Sequence, residues 1–141
     1  MRLSLHTDYA LRTLMYLACA AERSTAAEVA AFYGISAHHV SKVVHRLVKL
    51  RLVRSIRGLG GGIELGRSPG EINVGAVIEA FEGSMHLLDC VDTENVCRIQ
   101  PFCKLRSVLA EAEQVQRTYL YSVSLQDVVP RPREMQRVVL A

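Results

Sequence analysis

Thr25-Ala-Ala-Glu-Val-Ala-Ala-Phe-Tyr-Gly34-Ile-Ser36-Ala-His-His-Val-Ser-Lys-Val-Val-His-Arg-Leu-Val-Lys-Leu50 decides the fold. Thr25 is a good N-cap for a short helix whose apolar side is Val29, Ala30 and Phe32, and Gly34 is the usual left-handed stop. Ser36 then caps a second helix, in which Val40, Val43, Val44, Leu47 and Leu50 recur at helical spacing. That spacing leaves His38, Ser41, Lys42, His45, Arg46 and Lys49 on the outer face. A short helix, a tight glycine turn and a second helix with a basic outer face make a helix-turn-helix, the second helix being the one that enters a DNA groove.

Beyond it, Leu52 to Ile56 and Ile63 to Leu65 are strand-like runs around Arg57-Gly-Leu-Gly-Gly-Gly62, residues that tolerate positive φ. They predict a β-hairpin wing. The glycine run is not a dinucleotide loop, because no helix opens after it and Pro69 follows. From Lys42 to Arg67 there are seven Lys/Arg and a single acid, Glu64. The expected DNA contacts are therefore Ser36, His38, His39, Ser41, Lys42, His45 and Arg46 on the helix, with Arg57, Gly58 and Gly60 on the wing. Arg57 is placed at the minor groove.

Toward the N-terminus, Thr7 is a good N-cap and Asp8 a favourable first-turn acid for a helix over 8–21, with Leu11, Leu14, Met15, Ala18 and Ala21 on one face. Asn73 caps a further helix, with Ile72 and Val77 as a hydrophobic staple and Gly83 as its stop. After residue 104, Leu105, Val108, Leu109, Ala112, Val115 and Tyr119 form an apolar stripe longer than a small winged-helix unit needs for its own core. Such a helix wants a partner, and a homodimer on a palindromic double-stranded operator is the default for this architecture. Ser124-Leu-Gln-Asp127 reads as a capping box, and the tail from Pro130, with three arginines and two prolines, is expected to be mobile. The reading is mainly α: a winged helix-turn-helix with a β-hairpin wing and a long C-terminal dimerisation helix. It divides into a DNA-binding domain (1–83), a loop (84–103), the dimerisation helix with a short cap (104–129) and the tail (130–141).

Half of the 141 residues are hydrophobic and 22% are charged, which excludes a disordered chain. The charge is uneven. Residues 1–68 carry ten Lys/Arg against four Asp/Glu, residues 69–141 seven against ten, so the basic half faces the polyanion. No stretch is long and apolar enough to cross a bilayer, and the run Leu14 to Ala21 is too short and too close to Asp8 and Arg12 to act as a leader. A cytoplasmic protein without a membrane partner is expected, in a compartment where thiols stay reduced.

Three of the four cysteines fall in Cys90-Val-Asp-Thr-Glu-Asn-Val-Cys97-Arg-Ile-Gln-Pro-Phe-Cys103. Their gaps are too long for a zinc knuckle and their number is odd for a disulfide framework. Three thiolates in one irregular loop suit an iron-sulfur cluster, with a fourth ligand still to be found; the alternative is three unrelated small hydrophobes. Cys103 is expected in the first turn of the helix after Pro101, where the dipole favours thiolate. Cys19, among apolar neighbours in the first helix, reads as inert core. A thiol-redox or electron-transfer protein is the rival class, against which stand the absent C-x-x-C pair and the complete recognition helix and wing. No nucleophile-base pair or second cofactor loop points to an enzyme.

Met1-Arg-Leu-Ser, Thr7-Asp-Tyr-Ala-Leu-Arg12, the Arg57-Gly…Gly-Gly62 wing and the three-cysteine loop together resemble the Rrf-two family of winged-helix repressors, over almost the whole chain to about Val129. Within that family the likeness is strongest to its nitric-oxide-sensing branch. The resemblance implies a 4Fe-4S cluster held by Cys90, Cys97, Cys103 and, from the partner subunit's first helix, Asp8, with nitric oxide as the signal that releases the operator. A sister branch with a 2Fe-2S cluster, the alternative cofactor, has a histidine three residues after its last cysteine, where this chain has Arg106. An iron-responsive branch, which answers to cluster loss, is the runner-up. The chain departs from the pattern in having His38-His39 where the branch has Asn-His, and Leu59 and Gly60 at the wing tip; His6 and His86 also lie near Asp8 and the loop as other possible fourth ligands.

Overall fold

The computed structural model describes residues 2–131 and 133–134. Three helices lead: α1 (Leu5–Cys19), α2 (Ala26–Tyr33) and α3 (Ala37–Lys49). The hairpin of β1 (Val53–Ile56) and β2 (Gly62–Leu65) follows, antiparallel, with Val53 opposite Leu65 and Ile56 opposite Gly62. After a 3-10 turn come α4 (Val74–Glu82), a single turn α5 (Asp89–Asp92), a second 3-10 turn at Gln100–Phe102, α6 (Lys104–Tyr121) and a last turn α7 (Leu125–Val128).

The two helices of the opening motif form for the reasons their residues give. Thr25 accepts from the Glu28 N–H and Glu28 returns a bond to the Thr25 N–H, a complete capping box, and α2 stops at Gly34 with φ 63°. Val40, Val43, Val44 and Leu47 are the buried face of α3. The core gathers Leu14 and Leu17 from α1, Val29 from α2, the α3 valines, Val53 and Ile63 from the hairpin, Ile72, Val77 and Phe81 around α4, and Leu125. Ile63 also exchanges two backbone hydrogen bonds with Ser24, so the wing is anchored to the loop before α2.

The first helix differs from its expected form. It begins at Leu5 with Ser4 as N-cap, and Thr7 is fully buried inside it. Its buried face is Thr7, Ala10, Thr13, Leu14 and Leu17, whereas Leu11, Met15 and Ala18 are half-buried and Ala21 lies exposed beyond the helix end. Thr7 was free to cap only on local grounds; here its hydroxyl donates to Glu82, a partner that sequence spacing does not show. Cys19 ends α1 half-buried, its thiol donating to the Pro130 carbonyl at 3.5 Å, and burial pushes its pKa up. Most of the tail expected to be mobile lies outside the described residues.

The α4 helix starts as expected, with the Asn73 side chain accepting from the Ala76 N–H and Ile72 and Val77 buried together. The end of α6 docks on that start. A Cβ on Gly75 would stand 2.6 Å from the Tyr121 ring and 2.8 Å from the Leu120 backbone, so only glycine allows this approach. Ser124 and Asp127 form the expected capping box of α7.

Candidate DNA-reading face and cysteine loop

Helix α3 presents His38, His39, Ser41, Lys42, His45 and Arg46 on its exposed side, preceded by Ser36, whose hydroxyl makes no cap bond. The side chains are not equivalent. Ser41 donates back to the Ala37 carbonyl at 2.8 Å. His39 leans on α1, its ring 6.3 Å from Tyr9 in a stacked pair and 6.4 Å from His6 edge-on. Arg46 turns toward α4, donating to the Ala80 carbonyl with its guanidinium carbon 4.6 Å over the Phe81 ring.

On the wing, Arg57, Gly58, Leu59 and Gly60 are exposed, and Gly61 N–H closes the turn on the Gly58 carbonyl at 2.9 Å. Glu64 does not cancel the basic field. It is held between Arg23 (2.9 Å) and Arg54 (2.9 Å), and Arg23 also donates to the Gly60 carbonyl at 3.2 Å, bracing the wing from the loop before α2. Spacing gives no hint of Arg23, since the brace exists only once the hairpin has docked.

The cysteines take three environments: Cys90 half-buried in α5, Cys97 exposed, and Cys103 half-buried as the N-cap of α6, one residue before the helix and not within its first turn. Their loop has its own brace. Gln100 is buried, its amide nitrogen donating to the carbonyls of Cys90 (3.0 Å) and Thr93 (2.6 Å) and its oxygen accepting from the Val96 N–H (3.2 Å). Arg106 pairs with Glu94 at 2.6 Å and reaches the Val91 carbonyl. Before the loop, His86 meets Glu113 of α6 at 2.9 Å and Asp92 at 3.6 Å, and Glu113 accepts from the Leu87 N–H. The hydrogen bond to Glu113 raises the His86 pKa.

Asp8 pairs with Arg12 at 2.8 Å, both side chains 39% exposed, and this bond holds the guanidinium above its ordinary pKa. The start of α1 is in turn tied to the end of α4, where Glu82 accepts from the Thr7 hydroxyl and from the Ser4 N–H at 2.7 Å; the Thr7 bond foremost lowers the Glu82 pKa. Among the described residues of the single chain, no three His, Cys, Asp or Glu side chains converge as a metal site. No helix among them is long and apolar enough to cross a membrane.

The profile of the Rrf2 family, described as an iron-dependent transcriptional regulator, matches residues 3–131. The regulator NsrR of Halalkalibacterium halodurans is 39% identical, with 99% of this chain and 97% of that protein aligned, and NsrR of Bacillus subtilis is 38% identical over the same shares. Among solved structures, IscR of T. potens superposes with a TM-score of 0.72 at 26% identity, over 90% of this chain and 85% of that one. CymR, the global cysteine regulator of B. subtilis, gives 0.66 at 25% identity over 92% and 96%. With its helix-turn-helix, wing and full-length likeness to named regulators, the chain is a transcriptional regulator and not an enzyme, and it belongs to the Rrf2 family.

Proposed function

We propose that the chain works in the cytoplasm as a homodimeric repressor that binds a palindromic operator and reports nitric oxide through a 4Fe-4S cluster held by Cys90, Cys97, Cys103 and Asp8 of the partner subunit. The observation that carries this reading is the triad of free thiols on one braced loop, at the foot of a helix whose apolar stripe faces outward. The donor set fits the group. Soft thiolates select iron-sulfur clusters, none of the three is spent in a disulfide, and Gln100 shapes the loop through backbone carbonyls without using a thiol. Arg106 holds the position of the histidine that a 2Fe-2S site would use, and it is already committed to Glu94.

Two patches support ligation across a dimer. Leu3 and Leu5 are exposed beside Asp8, and Val96, Ile99 and Phe102 are exposed beside the cysteines. When bound, the cluster supplies iron that reacts with nitric oxide. The residues do the rest: Asp8, paired with Arg12 in the free chain, would hold the group from the first turn of the partner's α1, so that engagement of its carboxylate would bear on that helix. His39, stacked on Tyr9 of that helix, sits between α1 and the reading face. The DNA contacts are assigned to Ser36, His38, Ser41, Lys42 and His45 with Arg57, Gly58 and Gly60; His39 and Arg46 face other helices in the free chain.

A second reading, cluster loss under iron limitation, is favoured by the iron dependence in the family description. Anaerobically purified protein should show a broad visible absorption that bleaches with nitric oxide in step with operator release. Bleaching by chelator alone, with nitric oxide inert, would select the iron reading. Cys90→Ala, Cys97→Ala and Cys103→Ala should each abolish bound iron and sulfide, while Cys19→Ala keeps both; full content in a loop variant removes that cysteine from the site.

A further inference from the structure

We infer that Arg46 is a positioning residue that fastens the recognition helix α3 to the C-terminal end of α4, the element that runs directly into the cysteine loop. The inference deepens the proposed regulation and rests on it. Ala80 belongs to the last turn of α4, whose carbonyls have no intrahelical donor and form the negative end of the helix dipole. Arg46 answers both needs of that turn. The edge of its guanidinium donates to the Ala80 carbonyl while its face lies 4.6 Å over the Phe81 ring, a combination that suits a planar fork better than a compact, strongly hydrated ammonium.

The same turn holds more than α3. Glu82 ties it to Ser4 and Thr7 at the start of α1, one residue before Asp8, and Gly83 ends the helix where the loop to Cys90 begins. One turn of α4 therefore touches the recognition helix and the helix bearing Asp8, and the chain runs on from it into the cysteine loop. A displacement of that turn reaches α3 through Arg46, whereas an Arg46 bound to phosphate would have to give up both α4 contacts. The decisive measurement is a double-mutant cycle between Arg46 and Phe81.

Full-length protein, purified anaerobically and assayed for iron, is titrated at several salt concentrations against an operator selected from random duplexes by the wild type, and against scrambled DNA. Arg46→Lys and Phe81→Leu should each lose about fivefold or more of the operator-over-scrambled preference with the salt slope unchanged, and the double variant should be no worse than the poorer single. Phe81 is buried away from any DNA surface, so a loss that matches that of Arg46→Lys and does not add to it marks the link. Thermal melting checks the fold, and Phe81→Met stands in if Phe81→Leu melts below the assay temperature. The inference is overturned if the ring variants are silent while Arg46→Ala lowers the salt slope by about one on both duplexes, the mark of a phosphate contact, or if the losses simply add. Absence of iron in the wild type would sink the cluster reading and leave this comparison intact.

Discussion

Leu59 projects fully into solvent at the wing tip, between Gly58 and Gly60, whose φ values of 95° and 71° set the turn. A leucine there adds apolar surface and no charge, so in the proposed complex it would meet DNA through sugar and base edges of the minor groove, beside Arg57. Leu59→Ala is expected to weaken operator binding with the salt slope unchanged. Leu59→Lys should raise affinity for operator and scrambled duplex alike and steepen that slope by about one, one added phosphate contact. A Leu59→Lys protein with an unaltered slope would remove the wing tip from the DNA surface. At this scale one helical period made the outer face of α3 readable, but on α1 it pointed to Leu11, Met15 and Ala18 where the folded chain buries Ala10, Thr13 and Leu17. The sequence was silent wherever a polar group chose a distant partner: Arg23 finds Glu64 across 41 positions, Arg46 finds Ala80 across 34, and Thr7 finds Glu82 across 75. Gln100 lay in plain view among the cysteines, but only the folded loop turns its amide inward.

The elements that were legible carried their own end signals, Thr25 and Gly34 for α2 or Asn73 and Gly83 for α4, whereas for α1 local chemistry points to Thr7 as the cap and the folded chain uses Ser4, because Thr7 is claimed by Glu82. The joint between α4 and α6 had no signal at all, because Gly75, the second residue of α4, is small for the sake of a backbone 45 residues on. Replacing a helix-interior glycine by alanine normally gains about 1 kcal/mol, which is an upper bound for this first-turn position. Here the added Cβ meets the Leu120 and Tyr121 backbone at 2.8 Å, and overpacking of about 1–3 kcal/mol outweighs the gain, so Gly75→Ala should lower the melting temperature. A rise would mean that α6 yields easily. The latch between the loop and α6 depends on protonation. His86 has its pKa raised, first by Glu113, so its contribution is complete below the unfolded value of about 6.5 and fades as pH climbs through the folded one. The difference in melting temperature between wild type and His86→Gln should therefore shrink from pH 6 to pH 8. A difference that grows with pH would show that the imidazole is neutral when bound.

At the scale of the molecule, a single chain leaves too much apolar surface on one helix. Val108 is 60% exposed, Val115 64% and Tyr119 68%, while the opposite side of α6 docks on α4. A second copy covers that stripe in the proposed dimer. Val115→Asp should then yield a monomer that melts cooperatively, since the side chain carries no load inside its own chain, and operator affinity should fall steeply because two half-sites are no longer bound together. Sedimentation at several concentrations checks this; a Val115→Asp protein that stays dimeric moves the interface elsewhere. The proposed dimer also makes a sharper demand, that Asp8 serve the partner's loop. Asp8→Asn is expected to cost little fold stability, because its pair with Arg12 is partly exposed to solvent and lies within a single helix turn. Heterodimers can then be built in which one chain lacks the three loop cysteines and the other carries Asp8→Asn. With ligation across the interface, one site has all four ligands and the other has none, so the mixture should hold half the iron of the wild type in a site of wild-type spectrum and nitric-oxide response. If Asp8 acts within its own chain, no site in the heterodimer is complete, the iron it retains carries the spectrum of the Asp8→Asn homodimer, and the link from the partner's loop to α1 is lost.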